Sequence, residues 1–377
     1  MKFHMPTAVV FGPGVISELG GIVRDKLRSS RPLLVTDRGI IAAGIAEGVL
    51  SQFRAISTFD GVEQNPKHKT VDRGGEMARQ VKPDLVIGLG GGSALDAAKA
   101  IALLATNPGV IEDYEGREKY QTAPLPVLAI PTTCGTGSEV TWVSIITHTG
   151  RQIKMSIKGP LMYPAVAVVD PDLLVTLPPP LIASTGLDAL THAVEAYTAK
   201  AASAITDMLA LEALRLIFAS LPEAYQDIKK NAEARENLML GSLMAGMAFV
   251  NSDVGAIHCL AESVGSLYDT PHGVANAVFL PLVMEFNLEA AEAKYAQIAL
   301  VAGIEAASRR EATRLLIVRI REISRDLSVP PFRELNIPES DLPIIAQKSF
   351  ANNSNPSNPR EATAADYLDI LRRASRE

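Results

Sequence analysis

Asp84-Leu85-Val86-Ile87-Gly88-Leu89-Gly90-Gly91-Gly92-Ser93 is an apolar run that breaks into three glycines and a serine. Its lack of polar alternation suits a strand buried on both faces of a parallel sheet. The segment that follows, Ser93 to Ala105, has helical composition and length. Strand, glycine turn and helix in that order build doubly wound α/β domains. Glycines let a backbone approach a ligand, and a helix N-terminus offers N–H groups and partial positive charge to a phosphate. A turn that serves only geometry is the plainer alternative. The spacing is not Gly-x-Gly-x-x-Gly, so the ordinary Rossmann fingerprint is absent.

Outward from this unit, Leu33 to Asp37, Val127 to Ile130 and Ala165 to Val169 are further short apolar runs bounded by Gly, Pro or Asp. Pro131-Thr132-Thr133-Cys134-Gly135-Thr136-Gly137-Ser138-Glu139 follows one of them, and six of its nine residues are Thr, Ser or Gly. Hydroxyls and glycines at a strand's carboxyl end are what a nucleotide crevice uses, although a solvated turn has the same composition. Asp37 ends the first clear strand. An acid there either accepts the ribose hydroxyls of NAD or caps the helix that follows.

After Val175-Thr176-Leu177 comes Pro178-Pro179-Pro180, expected to mark a stiff junction that neither strand nor helix crosses. Beyond it no strand is evident. Thr206 to Leu221, Ala234 to Phe249, Ala291 to Ala302, Ala312 to Leu327 and the amphipathic Ala364 to Arg373 read as helices. Ala351 to Arg360 reads as a turn-rich loop. The expected fold is an α/β N-terminal dinucleotide-binding domain, residues 1–178, followed by an all-α helical domain, residues 179–377. A length of 377 residues fits two domains at roughly 150 residues each.

Composition narrows the function. The net charge of −6 is spread along the chain and aromatics are only 5%, which argues against nucleic acid as a partner. The longest uncharged apolar stretch, Leu238 to Ser252, is shorter than the ~20 residues of a membrane span. The start, from Met1 to Thr7, lacks the apolar core of a signal peptide. With only Cys134 and Cys259, both expected reduced, a cytoplasmic location is expected.

Three of the six histidines lie in apolar surroundings of the second half. Asp188 and His192 are four residues apart, on one face of a helix. His258 and His272 follow. One carboxylate and three imidazoles suit Fe2+ or Zn2+ without any thiolate, whereas a lone buried histidine is more often a satisfied core residue.

Together these motifs resemble the iron-containing (group III) alcohol dehydrogenase family over essentially the whole chain. The carriers are Gly90-Gly91-Gly92-Ser93 with Asp96 and Lys99, Pro131-Thr132-Thr133 through Gly137-Ser138-Glu139-Val140-Thr141, and Gly186 to His192. Met244 to Phe249, Pro271-His272-Gly273-Val274-Ala275-Asn276 and Asn358-Pro359-Arg360 complete them. The resemblance implies a catalytic cleft between the two domains and a homodimer. It places the metal ligands on Asp188, His192, His258 and His272, with Fe2+ the expected ion and Zn2+ the alternative. It places NAD contacts on Asp37, Asn65, Gly91, Gly92, Ser93, Thr132, Thr133 and Lys154. Asp37 favours NAD over NADP, because relatives preferring NADP usually carry a small residue there. Substrate-pocket positions fall near Val143 and Phe249, with Trp142 beside them, and no Arg or Lys is evident there.

One position departs from the pattern. Many members carry His-x-x-x-His in the helix of the third ligand, whereas this chain has His258-Cys259-Leu260-Ala261-Glu262. Asp253 also stands where a small residue is usual. Glu262 at i+4 faces the same way as His258 and is open to four roles: proton relay, substrate contact, extra metal ligand, or none.

The expected activity is NAD-dependent, metal-dependent interconversion of a small primary alcohol and its aldehyde. A dehydroquinate-synthase-like NAD/Zn lyase is the alternative enzyme class, although its basic phosphate-binding cluster is not found. A metal- and nucleotide-binding scaffold without activity is the non-enzymatic one.

Overall fold

In the computed structural model, which describes residues 3–377, the apolar runs form strands and feed two cores. Met1 and Lys2, at the head of the segment read for a leader, lie outside the described residues. The strands are β1 (Ala8–Phe11), β2 (Pro32–Asp37), β3 (Ser57–Val62), β4 (Leu85–Gly90), β5 (Gly116–Arg117), β6 (Val127–Pro131), β7 (Val143–His148), β8 (Ile153–Lys158) and β9 (Val166–Val169). Six of them make an all-parallel sheet in the order β1-β9-β6-β4-β2-β3. The other three form a small sheet, β5-β8-β7, with β7 and β8 antiparallel.

Successive residues of a strand point to opposite faces, which is why these runs are apolar throughout. Leu33, Val35, Val86 and Val127 pack with α4 (His68–Val81) and α5 (Gly92–Thr106), and Leu34, Leu85, Ile87 and Leu128 enter the core on the other face. Short helices α1 (Leu19–Gly21), α2 (Arg38–Ala42) and α3 (Ile45–Leu50) precede them in the chain. Within the sheet β2 is followed by β3 on one side, while the next parallel strand, β4, lies on the other. That reversal leaves a crevice at the carboxyl ends of β2 and β4, where open α/β sheets bind ligands.

The chain divides into two compact units. One comprises Met5–Thr133 and Gly137–Leu177; the other comprises Cys134–Thr136 and Pro178–Glu377, together with His4. The second is helical: α6 (Pro179–Thr198), α7 (Ala204–Asp227), α8 (Ala232–Ser252), α9 (Ala256–Tyr268), α10 (His272–Phe286), α11 (Leu288–Val301), α12 (Arg309–Asp326), α13 (Leu342–Phe350) and α14 (Ala364–Ala374). Helix α6 packs against α7, α8 and α10, and every residue from Gly186 to Thr198 in it is buried. Among the described residues no single helix is long and apolar enough to cross a membrane.

No strand or helix runs through the proline triplet, as expected, but its last two residues belong to a helix. Pro178 precedes α6, and Pro179 and Pro180 are its first two residues. A helix's first N–H groups have no intrahelical partner, so proline loses nothing there and its fixed φ starts the turn.

Candidate active site

Helix α6 presents Asp188 and His192 one turn apart, and each is at most 5% exposed. The third and fourth expected ligands come from the starts of two other helices. His258 is the third residue of α9, and His272 is the first of α10. Gly273 explains the seating of α10. A Cβ there would stand 2.0 Å from the carbonyl oxygen of Ser184, so only glycine lets α10 approach α6 this closely.

The four side chains converge within the helical unit. Oδ1 of Asp188 is 3.8 Å from Nε2 of His272, and Oδ2 is 3.9 Å from Nδ1 of His192. Asp188, His258 and His272 each bring one ligand atom to within 4.8 Å of the others. Nε2 of His192 joins them through Nε2 of His258, at 3.0 Å. Two partners set the tautomers. Nδ1 of His192 lies 3.2 Å from the Gly135 carbonyl and Nδ1 of His258 lies 2.5 Å from Oε2 of Glu195. Both partners are acceptors, so each Nδ1 carries hydrogen, and in the neutral ring each Nε2 is the atom with a lone pair to offer. In the neutral rings both Nε2 atoms, 3.0 Å apart, offer their lone pairs beside the Asp188 carboxylate. A divalent cation fits this donor set.

Electrostatics agree. Burial alone would raise the Asp188 carboxyl, but the three imidazoles and the amide of Asn276 hold it below its ordinary value. Burial pushes His192 down to about 4, against the pull of Asp188. Burial would lower His258 too, yet the adjacent Glu195 outweighs it and raises that ring. Sequence reasoning missed Glu195 and the role of Asn276. Nδ2 of Asn276 donates to Oδ1 of Asp188 at 2.6 Å and lies 3.2 Å and 3.3 Å from Nε2 of His258 and His272. The signals were present: Glu195 falls three residues after His192, and Asn276 four after His272.

Phe249 stacks on His192 with ring centroids 4.2 Å apart, putting an apolar wall against that ligand. Glu262 is not in the close cluster of ligand atoms. Its Oε2 accepts from Nδ2 of Asn352 at 2.6 Å. Asp253, the other departure, accepts from the hydroxyls of Ser354 at 3.1 Å and Ser357 at 2.6 Å. Both unusual carboxylates therefore hold the turn-rich loop after α13.

In the α/β unit, Asp37, Gly90 and Gly91 meet at the crevice between β2 and β4. Gly90 has φ +144°, and a Cβ there would lie 2.8 Å from Cβ of Ala94 and 3.3 Å from Oδ2 of Asp37. Asp37 does cap a helix, its Oδ1 accepting from Ile40 N–H at 3.0 Å, and its Oδ2 turns toward Gly90. The two readings of Asp37 are thus compatible. Gly91 caps α5, whose first turn contains Gly92 and Ser93, and the side chain of Thr133 lies against Gly91. The N–H of Thr132 donates to the Gly90 carbonyl at 3.0 Å. On the other side Ser93 Oγ accepts from Asn65 N–H at 3.2 Å, and Lys154 Nζ donates to Asn65 Oδ1 at 2.5 Å. The eight positions expected to contact NAD thus form two groups flanking the start of α5.

Asp96 and Lys99 are struts beneath this region. Lys99, 1% exposed, donates to the carbonyls of Ser138, at 3.1 Å, and Val143, and pairs with Asp96 at 3.1 Å. Asp96 also accepts from Ser138 Oγ at 2.5 Å and Ile145 N–H at 2.9 Å. Trp142 stacks on Tyr163, and the guanidinium of Arg117 sits 4.8 Å over its ring. The expectation of no basic group at these positions is corrected here, because Arg117 comes from a distant strand that spacing does not reveal.

A second cluster, His68, Glu112 and His148, has ligand atoms equally close. Its geometry is that of a hydrogen-bonded stack. The two rings are parallel to within 7°, so their in-plane lone pairs do not converge. Nδ1 of His148 accepts from Arg151 N–H at 3.1 Å, which leaves its proton on Nε2, 2.7 Å from Glu112.

Comparison with known proteins identifies the family. A model of the iron-containing alcohol dehydrogenase family matches residues 6–171, and the C-terminal model of the Fe-containing alcohol dehydrogenase family matches residues 182–375. A 1,3-propanediol dehydrogenase of Citrobacter freundii is 40% identical over 381 residues, covering 99% of this chain and 98% of that protein. An NAD-dependent methanol dehydrogenase of Bacillus methanolicus is 36% identical over 380 residues, covering 99% of each. The solved structure of a 1,3-propanediol oxidoreductase aligns with a TM-score of 0.95 at 38% identity, covering 99% of both chains. The chain belongs to the iron-containing alcohol dehydrogenase family. It is an oxidoreductase that interconverts an alcohol and an aldehyde, and the lyase and inactive-scaffold alternatives have no support.

Proposed function

We propose that the chain oxidises a small primary alcohol to its aldehyde, and runs the reverse reaction, with NAD(H) as hydride partner and Fe2+ as resident metal. Zn2+ is the alternative ion, since imidazole and carboxylate oxygen suit both. The observation that carries this is the convergence of Asp188, His192, His258 and His272, with Nε2 of His192 and Nε2 of His258 3.0 Å apart.

Asp188, His192, His258 and His272 would hold a divalent metal, which when bound would supply Lewis acidity toward an alcohol oxygen, and bound NAD would supply the hydride acceptor. The rest falls to the chain. Asp188 provides the anionic ligand, kept ionised by the imidazoles around it. Burial keeps His192 neutral and available through Nε2. Phe249 keeps water from the face of that ring. In the α/β unit the start of α5 offers N–H groups to the pyrophosphate, with Gly91, Gly92 and Ser93 close enough to serve and Thr132 and Thr133 alongside. Oδ2 of Asp37 is placed to accept from ribose hydroxyls, and its charge repels a 2′-phosphate. Lys154 and Asn65 hold each other beside Ser93 and extend the polar lining. Val143 and Phe249 are the proposed substrate-pocket positions.

We extend the proposal to a homodimer in the cytoplasm. The two cysteines are free and buried, which fits a reducing compartment. Sedimentation velocity tests the dimer. The activity is tested by stripping the purified protein with chelator and reloading it anaerobically with Fe2+ or Zn2+. Absorbance of NADH is then followed over a panel of alcohols and aldehydes. Turnover with NAD restored by metal is expected; no turnover on any substrate with either ion would overturn the proposal.

A further inference from the structure

Asp188, His192 and Glu195 fall at i, i+4 and i+7 of α6, so all three leave the helix on one face. Glu195 is not among the expected ligands, yet it is only 4% exposed and both its oxygens are committed. Oε1 accepts from the N–H of Ile257 at 2.8 Å, and Oε2 meets Nδ1 of His258 at 2.5 Å. Ile257 is the second residue of α9, so its N–H has no partner inside the helix. One carboxylate therefore caps α9 and fixes the ring of the very next residue. The neighbouring donor, Ala256 N–H, goes to Oδ1 of Asn358 at 3.2 Å, so the start of α9 is held from two sides.

We propose that Glu195 is a positioning residue for the metal centre, orienting His258, fixing its Nδ1–H tautomer and supplying a second negative charge. This rests on the proposed ligand set. A carboxylate behind an imidazole makes it a more basic ligand and locks its ring. Charge balance favours the same role. Asp188 and three neutral imidazoles would leave a dication with one uncompensated positive charge in a buried site, and Glu195 cancels it. Nδ1 of His192 is hydrogen-bonded to the neutral Gly135 carbonyl instead, with the nearest carboxylate oxygen, Oδ2 of Asp188, 3.9 Å away. The two imidazoles are thus unequal donors, with His258 the stronger.

Capping alone would need only an acceptor oxygen, and that separates the two roles. In Glu195→Gln the amide oxygen still caps Ile257, but the charge is gone and an NH2 group faces Nδ1 of His258. The full-length protein is stripped with chelator and titrated with Co2+, with affinity read by chelator competition and ligand field by the visible d–d band. Glu195→Gln is expected to weaken Co2+ binding about 10–100-fold and to change the band. Wild-type affinity and spectrum in this variant would overturn the proposal. Glu195→Asp keeps the charge with a shorter reach and is expected to bind between the two; if it binds no better than Glu195→Gln, charge is not the cause and the proposal falls. Should Glu195→Gln fail to fold, Glu195→Asp is judged against wild type, and an unchanged band together with unchanged affinity overturns the orienting role. His258→Ala tests the ligand set separately. Wild-type Co2+ affinity in that variant would remove His258 from the site, whatever Glu195 does.

Discussion

Nε2 of His192 lies 3.0 Å from Nε2 of His258, and each ring has its Nδ1 on an acceptor. In the neutral rings both Nε2 atoms offer lone pairs toward one point, where a bound cation would accept them. Metal should therefore stabilise the fold as well as activate it. At metal a hundredfold above its dissociation constant, the gain is about 2.7 kcal/mol. Thermal unfolding of stripped protein with and without Fe2+ or Zn2+ should show a rise in midpoint, lost in His258→Ala. An identical midpoint in the presence of either ion counts against the site.

Gly273 has no room for a side chain, since a Cβ would meet the Ser184 carbonyl at 2.0 Å. Backbone cannot give way as a flexible side chain does. Gly273→Ala should push the start of α10 from α6 and carry His272 away from Asp188. The expected result is a stability loss of about 1–3 kcal/mol or more together with weakened metal binding. Chemical denaturation and a metal titration report the two separately, and unchanged metal affinity would show that His272 does not depend on this contact.

Asp37 serves both as cap and as the negative charge beside Gly90. Asp37→Ser keeps a capping oxygen but removes the charge. The ratio of kcat/KM with NAD to that with NADP should fall, with little change in stability. Were the ratio unchanged, the carboxylate would be a cap alone.

Glu139 is 4% exposed, and burial pushes its carboxyl up to about 7, against its own backbone N–H and Lys99. A carboxyl raised in the folded state keeps its proton while the unfolded chain loses its own. Its contribution is full below the ordinary value of 4.5 and is lost as pH rises to about 7. Glu139→Gln should therefore gain stability relative to wild type across that window and hold the gain above it. Denaturation midpoints at pH 4, 6 and 8 measure the difference, and a constant difference would contradict the shift.

Glu262 stands four residues from His258 and its charge reaches that ring. Glu262→His, which restores the family's spacing and releases Asn352, should alter both the pH–rate profile and the substrate range. If neither changes, the carboxylate has no part in the reaction.

Much of this architecture was legible because its physics is local. The runs at Leu33, Leu85, Val127 and Val166 are apolar on both faces, and each is a central strand of the parallel sheet. The strands that escaped notice lack that signature. Ser57–Val62 lies at a sheet edge and is only partly buried, Ala8–Phe11 at the other edge is short and half-buried, and the β7–β8 pair belongs to the small second sheet. That the proline triplet also opens α6 was not read, because proline's meaning depends on position: within a helix it breaks, at the first turn it begins. Asp188 and His192 were visible as neighbours on one helix. That His258 and His272 come to the same point was expected only from composition and the family resemblance, since locally it depends on how α9 and α10 pack on α6. Glu195 was hidden for the opposite reason: it sits on the ligand helix, but what it does is decided by the start of α9.

The most direct test of the metal centre is an anomalous diffraction measurement at the iron edge, on crystals grown anaerobically with Fe2+. One strong peak is expected, bonded to Asp188 and to Nε2 of His192, His258 and His272, at roughly 2.0–2.2 Å. A peak at His68 and His148 instead, or none among these four side chains, would contradict it.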